Sequence, residues 1–578
     1  MTVYRIIGLA VCAALAACAQ QPPQTEEDSA PGPQVVVVKP QPQRQPLPGV
    51  ELSEELLYKM MLAEVALQRG QPHIAVQTYL ELARETQDPR IAQRATEVAW
   101  NARFNSAALE AAGIWLQVDP GSAQARQVIA ALLVNEARIA DAQPHLEKWI
   151  ATGRDSVGQS FLQLSTLLSR HKDKPEVLKL MQALAQPYPD VPEARLAVAQ
   201  AAWNAENLQV SVEEARAALK LRPDWELAAL FVAQVLQRSS NEEALRFLED
   251  YLRDRPGARD ARLNYARLLV TTKSYPEARK QFEFLVAEYP QNADVGMAVA
   301  LLAMQANDYD AAETQLKRVL ELDSKDPDVA RFYLGQLNEE RKRPDDALKW
   351  YSAVTQGEQF IPAQARYANI LAKQGKLPEA RKHLQQATAH NPQQRVQLTQ
   401  AEAQLLRDAN AYQEAFDVLG QALAQMPDTP DLLYDYAMAA EKVNRLDILE
   451  ANLKQLIKLR PDHAHAYNAL GYTFADRNQR IEEAYRLIET ALKLAPDDPF
   501  IQDSMGWVLY RMGRNQEGLD YLQKAFKQRP DAEIAAHLGE VLWALEKRDE
   551  ARKIWAESLK EHPDNEVLQS TFKRFQPQ

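Results

Sequence analysis

Prolines recur along this chain at an almost constant interval. Pro189, Pro223, Pro256 and Pro290 are separated by 34, 33 and 34 residues, and Pro290 lies 102 residues, three such intervals, before Pro392. Pro427, Pro461, Pro496, Pro530 and Pro563 then follow at 35, 34, 35, 34 and 33. Upstream, Pro120 stands 69 residues before Pro189, while Pro89 is only 31 before Pro120, so the first units are less regular. A period of this length marks a supersecondary unit that buries its apolar face only by stacking on its neighbours. Proline has no amide to give to a helical ladder, so each marker is expected to close a helix. From residue 51 onward, apolar residues at spacings of three and four, broken by short polar turns, predict consecutive amphipathic helices.

A second, weaker period runs beside the first. Twelve residues before most of the markers stands a small residue: Ala244, Ala278, Ala380, Ala415, Ala484, Gly518 and Ala551, with Ala312 in the same phase. Another small residue occupies the first helix of many units, at Ala233, Ala266, Gly335, Gly471, Gly506 and Gly539. Small side chains at fixed phase let two helices approach closely. The combination resembles the tetratricopeptide repeat, whose pattern is a small residue in helix A, an alanine in helix B and a closing proline. The resemblance implies an all-α solenoid, a right-handed superhelix with helix A lining the concave side. Counting by phase gives about fifteen helical hairpins between residues 51 and 563, with degenerate units around Asp155, Ser324 and Glu358. Residues 51–188 are expected to hold the irregular repeats, 189–563 the regular ones and 564–578 a capping helix.

Composition narrows the chemistry. Only 19 of 578 residues are glycine, too few positive-φ positions for an all-β or Gly-rich nucleotide-binding fold. A net charge of −12 leaves no cationic excess to displace counterions from a nucleic acid. The only cysteines are Cys12 and Cys18, which removes structural disulfides, thiolate zinc sites and a cysteine nucleophile from the body. Gly513 and Gly518 have the outer spacing of a phosphate loop, but Leu519-Asp520 stands where Lys-Ser/Thr is needed. His463 and His465 point to different faces of a predicted helix. Asp345-Asp346 and Asp497-Asp498 stand at predicted helix starts and read as caps. No cofactor, metal or catalytic site is expected.

The N-terminus reads as an address. Arg5 precedes an apolar run from Ile6 to Ala17, the length of a signal-peptide core and too short to span a bilayer. It ends in Leu15-Ala16-Ala17-Cys18, which resembles a bacterial lipobox. Residues 1–17 are therefore expected to be a lipoprotein signal peptide, with Cys18 the acylated N-terminus and the membrane met through this anchor alone. Ala19, where an Asp would retain the protein at the inner membrane, points to the outer membrane facing the periplasm. Residues 18–50, rich in Pro and Gln, read as an extended tether with one apolar patch, Val35 to Val38.

Two surfaces are candidates for holding other proteins. In the repeat pattern, the residue after the small one in helix A and those three and four further on face the concave groove. This register selects Gln336, Glu339, Glu340, Tyr472, Trp507, Tyr510, Arg511, Glu540 and Trp543. Aromatic and Arg side chains dominate binding hot spots, and the same rings can instead pack between successive A helices. The first helix, Ser53 to about Arg69, carries Leu56, Met60, Ala63 and Leu67 toward its successor. Its second stripe of Leu57, Met61 and Val65 has no preceding repeat to cover it and reads as a docking surface, unless the tether folds over it or it packs internally. The C-terminal segment, with Leu568, Phe572 and Phe575 on one stripe, reads as a cap.

Several stretches are similar to a narrower group, the lipoprotein adaptors that activate a periplasmic carboxyl-terminal processing protease in Pseudomonas-like bacteria. They are Ala63-Glu64-Val65-Ala66-Leu67-Gln68-Arg69, Tyr265-Ala266-Arg267-Leu268-Leu269-Val270 and Asn468-Ala469-Leu470-Gly471-Tyr472-Thr473, with Asp503-Ser504-Met505-Gly506-Trp507 and the segment from Ala535 to Trp543. That resemblance implies a non-enzymatic scaffold whose partners are the protease and its substrates, cell-wall hydrolases. An accessory scaffold of an outer-membrane protein or polysaccharide assembly machine is the alternative.

Overall fold

The computed structural model describes residues 49–152, 157–169, 171–322 and 326–575; Cys18, the tether and the apolar leader lie outside them. Among the described residues the chain forms 31 α-helices and no strands. Fourteen helical hairpins, two helices that do not pair with each other and a final helix account for them. The chain divides into two compact units, one ending at Leu322 and the other following it.

The first unit holds helices α1 to α16. Its N-terminal part comprises α1 (Glu54–Gln68), α2 (Pro72–Thr86), α3 (Pro89–Asn101), α4 (Asn105–Val118), α5 (Ala123–Asn135) and α6 (Ile139–Thr152). Next come α7 (Val157–Leu168), α8 (Lys174–Ala185), α9 (Pro192–Asn204), α10 (Leu208–Leu221), α11 (Glu226–Ser239) and α12 (Asn241–Asp254). The unit closes with α13 (Arg259–Thr271), α14 (Tyr275–Glu288), α15 (Ala293–Gln305) and α16 (Tyr309–Glu321). Each odd-numbered helix packs on the even one that follows, except that α7 and α8 both pack on α9 rather than as a hairpin.

The second unit runs through α17 (Pro327–Glu340), α18 (Pro344–Ser352), α19 (Phe360–Lys373), α20 (Leu377–Gln386), α21 (Pro392–Asp408), α22 (Tyr412–Gln425) and α23 (Pro430–Lys442). It continues through α24 (Leu446–Leu459), α25 (Ala464–Asp476), α26 (Ile481–Leu494), α27 (Pro499–Arg511), α28 (Asn515–Gln528), α29 (Ala532–Ala544), α30 (Arg548–Glu561) and α31 (Glu566–Phe575). On α31, Leu568 is fully buried, and Phe572 and Phe575 pack on Trp543 and Trp555.

The markers fall where helix B stops. Pro223, Pro256, Pro290, Pro427, Pro461, Pro496, Pro530 and Pro563 each stand one residue beyond the C-cap of an even helix. Pro392 does not: the C-cap of α20, Ala387, lies five residues earlier, and Pro392 opens α21 as its first residue. Pro89 likewise opens α3. Proline suits the first turn of a helix as well as the stretch beyond its end, because no amide is required at either.

The small residues of A and B helices meet each other. A Cβ on Gly506 would lie 2.8 Å from the Gly518 carbonyl oxygen, and one on Gly471 2.9 Å from that of Ala484. Ala244, Ala278, Ala312, Ala380, Ala415, Ala484 and Ala551 are fully buried. Asp498 accepts the amides of Phe500 and Ile501 as the N-cap of α27. Asp345 and Asp346 lie inside the first turn of α18 instead of capping it, and Asp346 pairs with Lys349. His463 is itself an N-cap, its Nδ1 accepting the Ala466 amide.

Candidate functional site

The aromatic groove positions toward the C-terminus lie on α25, α27 and α29. Tyr472, Trp507 and His537 come from these three A helices in turn. The Trp507 indole stacks on the His537 ring at 4.2 Å and is 3 % exposed. Tyr472 lies against His537 on the other side, 5.9 Å between centroids. Below the stack, both oxygens of Asp503 stand 3.0 Å from His537 Nδ1. His537 and Asp503 are both buried. Nδ1 donates to the carboxylate, Nε2 faces the Tyr472 hydroxyl at 3.4 Å, and that hydroxyl donates to Glu533 at 3.2 Å.

Burial by itself would depress the His537 pKa, but the Asp503 carboxylate, with Glu533 and Asp476 behind it, holds it above the ordinary histidine value. The imidazolium is the form that satisfies every partner. Burial, with Glu533 and Asp476 near, drives the Tyr472 phenol far up. Burial also pushes Glu441, on α23, above the usual carboxylate range, with Glu533 and Asp476 adding to the effect. A His–Asp pair can serve as a general base, but here the far ring nitrogen meets a phenol that keeps its proton, not a Ser, Thr or Cys. The arrangement locks three helices together.

The other candidates are partly committed to the chain itself. Arg511 donates to the Asp476 carbonyl at 3.0 Å and lies over the Trp507 ring, 4.6 Å from its centroid. Glu540 is buried, paired with Arg574 of α31 and approached by the Tyr510 hydroxyl. Trp543 stacks on Trp555 and meets Phe575 at a tilt, with Arg548 and Arg552 over its ring. Glu339 accepts from Tyr351 and pairs with Arg366. Gln336, Tyr510 and Arg511 are half-buried and Glu340 is exposed. The groove register is therefore occupied largely by packing contacts, and Trp507 presents almost no surface.

At the other end, α1 keeps its outer stripe open. Leu57 is 47 %, Met61 60 % and Val65 41 % exposed, while Ala63 of the inner stripe is fully buried. Met60, expected on the inner stripe, is 37 % exposed.

Sequence reasoning missed Asp503, His537, Glu533 and Glu441 as a group. The signal available was the interval of 34 residues between Asp503 and His537, one repeat, which brings two polar residues together on adjacent A helices.

Comparison with known proteins accords with this architecture. A tetratricopeptide repeat-like domain matches residues 254–408, and a tetratricopeptide repeat matches 434–499 and 504–566. The TPR repeat-containing protein PA4667 of Pseudomonas aeruginosa is 34 % identical over 495 residues, covering 84 % of this chain and 82 % of that one. The chain belongs to the tetratricopeptide-repeat proteins. Cellulose synthase operon protein C of Pseudomonas fluorescens is also similar, at 28 % identity over 45 % of this tetratricopeptide-repeat protein but only 22 % of its own length. Among solved structures, Naa15/Naa10 bound to HypK-THB aligns over 88 % of this chain and 81 % of that one, with 14 % identity and a TM-score of 0.33. The matching families are repeat families, which generally act as non-catalytic scaffolds for other proteins.

Proposed function

We propose that this tetratricopeptide-repeat protein is a non-enzymatic lipoprotein scaffold of the outer membrane, facing the periplasm, that activates a carboxyl-terminal processing protease and presents cell-wall hydrolases to it. The observation that carries the reading is the open apolar stripe of α1. Leu57, Met61 and Val65 are exposed on the outer face of α1, the face that stacking buries where another repeat precedes. An uncovered stripe at a solenoid end is a docking surface, and its methionine adapts to a partner's shape. The protease docks there, while the half-buried groove groups Gln336, Tyr510 and Arg511 and the exposed Glu340 are left to cargo.

Charging the stripe with Leu57→Glu and Met61→Glu is expected to abolish protease capture while helicity and hydrolase capture persist, since neither side chain is in the core. Protease bound at its original affinity by the double variant would remove the docking role. Cys18→Ser is expected to move the protein from the outer-membrane fraction to the soluble periplasm, as read by fractionation and immunoblot. Persistence in the membrane fraction would show that something other than an acyl chain holds it.

Similarity to cellulose synthase operon protein C favours the second reading, an accessory of a polysaccharide or outer-membrane protein assembly machine. Crosslinking in cells followed by mass spectrometry separates the two: a protease and hydrolases for the first, synthase or assembly subunits for the second.

A further inference from the structure

The first unit carries a cavity of about 300 Å³ between the last turn of α3, the α3–α4 turn and the last turn of α5. Its wall is the indole of Trp100, 38 % exposed, and its floor includes the buried Leu132. Around them stand the carboxamides of Asn101, Asn105 and Asn135 and the guanidinium of Arg103. Among the described residues none of these four side chains makes a hydrogen bond or an ion pair, so their donors and acceptors are open to a ligand. Elsewhere on the chain arginines near a helix end are mostly occupied: Arg138, Arg445, Arg480 and Arg514 all pair with nearby carboxylates.

The same four residues, Ala-Trp-Asn-Ala, end both α3 and α9. At the end of α9 the ring of Trp203 packs edge-on against Phe231, 6.3 Å between centroids, which uses it as filling. No aromatic partner covers Trp100 among the described residues, and its ring opens onto the cavity instead.

The size is that of the smaller ligand sites, too short for an extended peptide strand and suited to one or two rings. An exposed indole offers a flat apolar face with low conformational cost. Carboxamides both donate and accept, which matches hydroxyl and acetamido groups, themselves donors and acceptors. Guanidinium selects a carboxylate by a paired, charge-assisted contact. We propose that this cavity binds a saccharide ring stacked on Trp100, its polar substituents held by Asn101, Asn105 and Asn135, with Arg103 selecting a sugar that carries a carboxylate. This assignment is independent of the docking role given to α1.

The test is saturation-transfer NMR on the full chain with N-acetylmuramic acid and with N-acetylglucosamine, which lacks the lactyl carboxylate. N-acetylmuramic acid is expected to bind more tightly of the two. Trp100→Ala is expected to weaken both by roughly tenfold or more, as loss of the stacking face requires. Arg103→Gln is expected to abolish only the preference between them. Circular dichroism of each variant should match the parent, because both side chains lie at the surface. Absence of transfer to either sugar at millimolar concentration overturns the proposal, as does binding that survives Trp100→Ala. Tighter binding of adenosine monophosphate than of either sugar would assign the cavity to a nucleotide and overturn it too.

Discussion

Trp507→Ala is expected to destabilise the second unit by about 3–5 kcal/mol, the range for removing a fully buried Trp or Phe from a packed site. The indole is buried against His537, Tyr510 and the Arg511 guanidinium, so truncation leaves a cavity between α27 and α29 that cannot fully close in. Hydrogen exchange followed by peptide mass spectrometry is the suitable readout, because the chain has two units and a single melting temperature would mix them. Protection should fall in α25, α27 and α29 and stay unchanged in α1 to α16. Unchanged protection throughout, combined with weakened cargo capture, would return Trp507 to the role of a binding residue. Tyr510, half-buried with a long contact to Glu540, is expected to cost much less on truncation.

The contrast between these two rings marks the limit of what periodicity conveys. The register put Tyr472, Trp507 and Tyr510 on A helices, where they lie, since that depends only on the position of Gly471 and Gly506. It did not convey how tightly successive hairpins curve. Tyr472 reaches Glu533, 61 residues and two hairpins away, so the face that should have been a groove wall is filled by its own side chains. Curvature follows from the sizes of many side chains at once and is not written at any single position.

The helix ends were more legible because they follow from single residues. A proline one position past a C-cap is a local steric fact, repeated at most markers from Pro223 to Pro563; Pro189 stands three residues past its C-cap, and Pro89 and Pro392 escaped because an opening proline has the same appearance in a list of spacings. The turns between A and B helices were not legible. Scarcity of glycine argued against many left-handed positions, yet Lys273, Asn307, Asn444 and Glu546 all adopt positive φ there. At Lys273 the cost is offset by the backbone: its amide bonds to the Val270 carbonyl, and the Ser274 amide to that of Leu269 at 2.8 Å. That pairing satisfies the last carbonyls of the helix and makes a non-glycine residue tolerable.

The buried pair of Asp503 and His537 gives the second large effect, and its dependence on pH has a definite sign. The folded-state pKa of His537 lies above its ordinary 6.5. A raised base binds more protons in the folded state, so its stabilisation is complete below about pH 6.5 and is lost as pH rises through the folded-state value. Asp503→Asn keeps the shape and removes the charge. Without that charge, burial, the largest influence on the ring, is expected to outweigh the more distant Glu533 and Asp476 and lower the pKa instead. The variant should lose stability as pH falls through 6.5, opposite to the parent. Raised Glu441 titrates from its ordinary 4.5 upward in both proteins and cancels in the comparison. In mildly acidic buffer the difference should reach about 3–5 kcal/mol, the cost of leaving one member of a buried pair without its partner, and it should shrink in mildly alkaline buffer. Denaturant titrations read through protection of α27 and α29 at several pH values measure both slopes. Parallel slopes in parent and variant would mean that His537 is neutral in the folded chain and that Asp503 holds it only by shape.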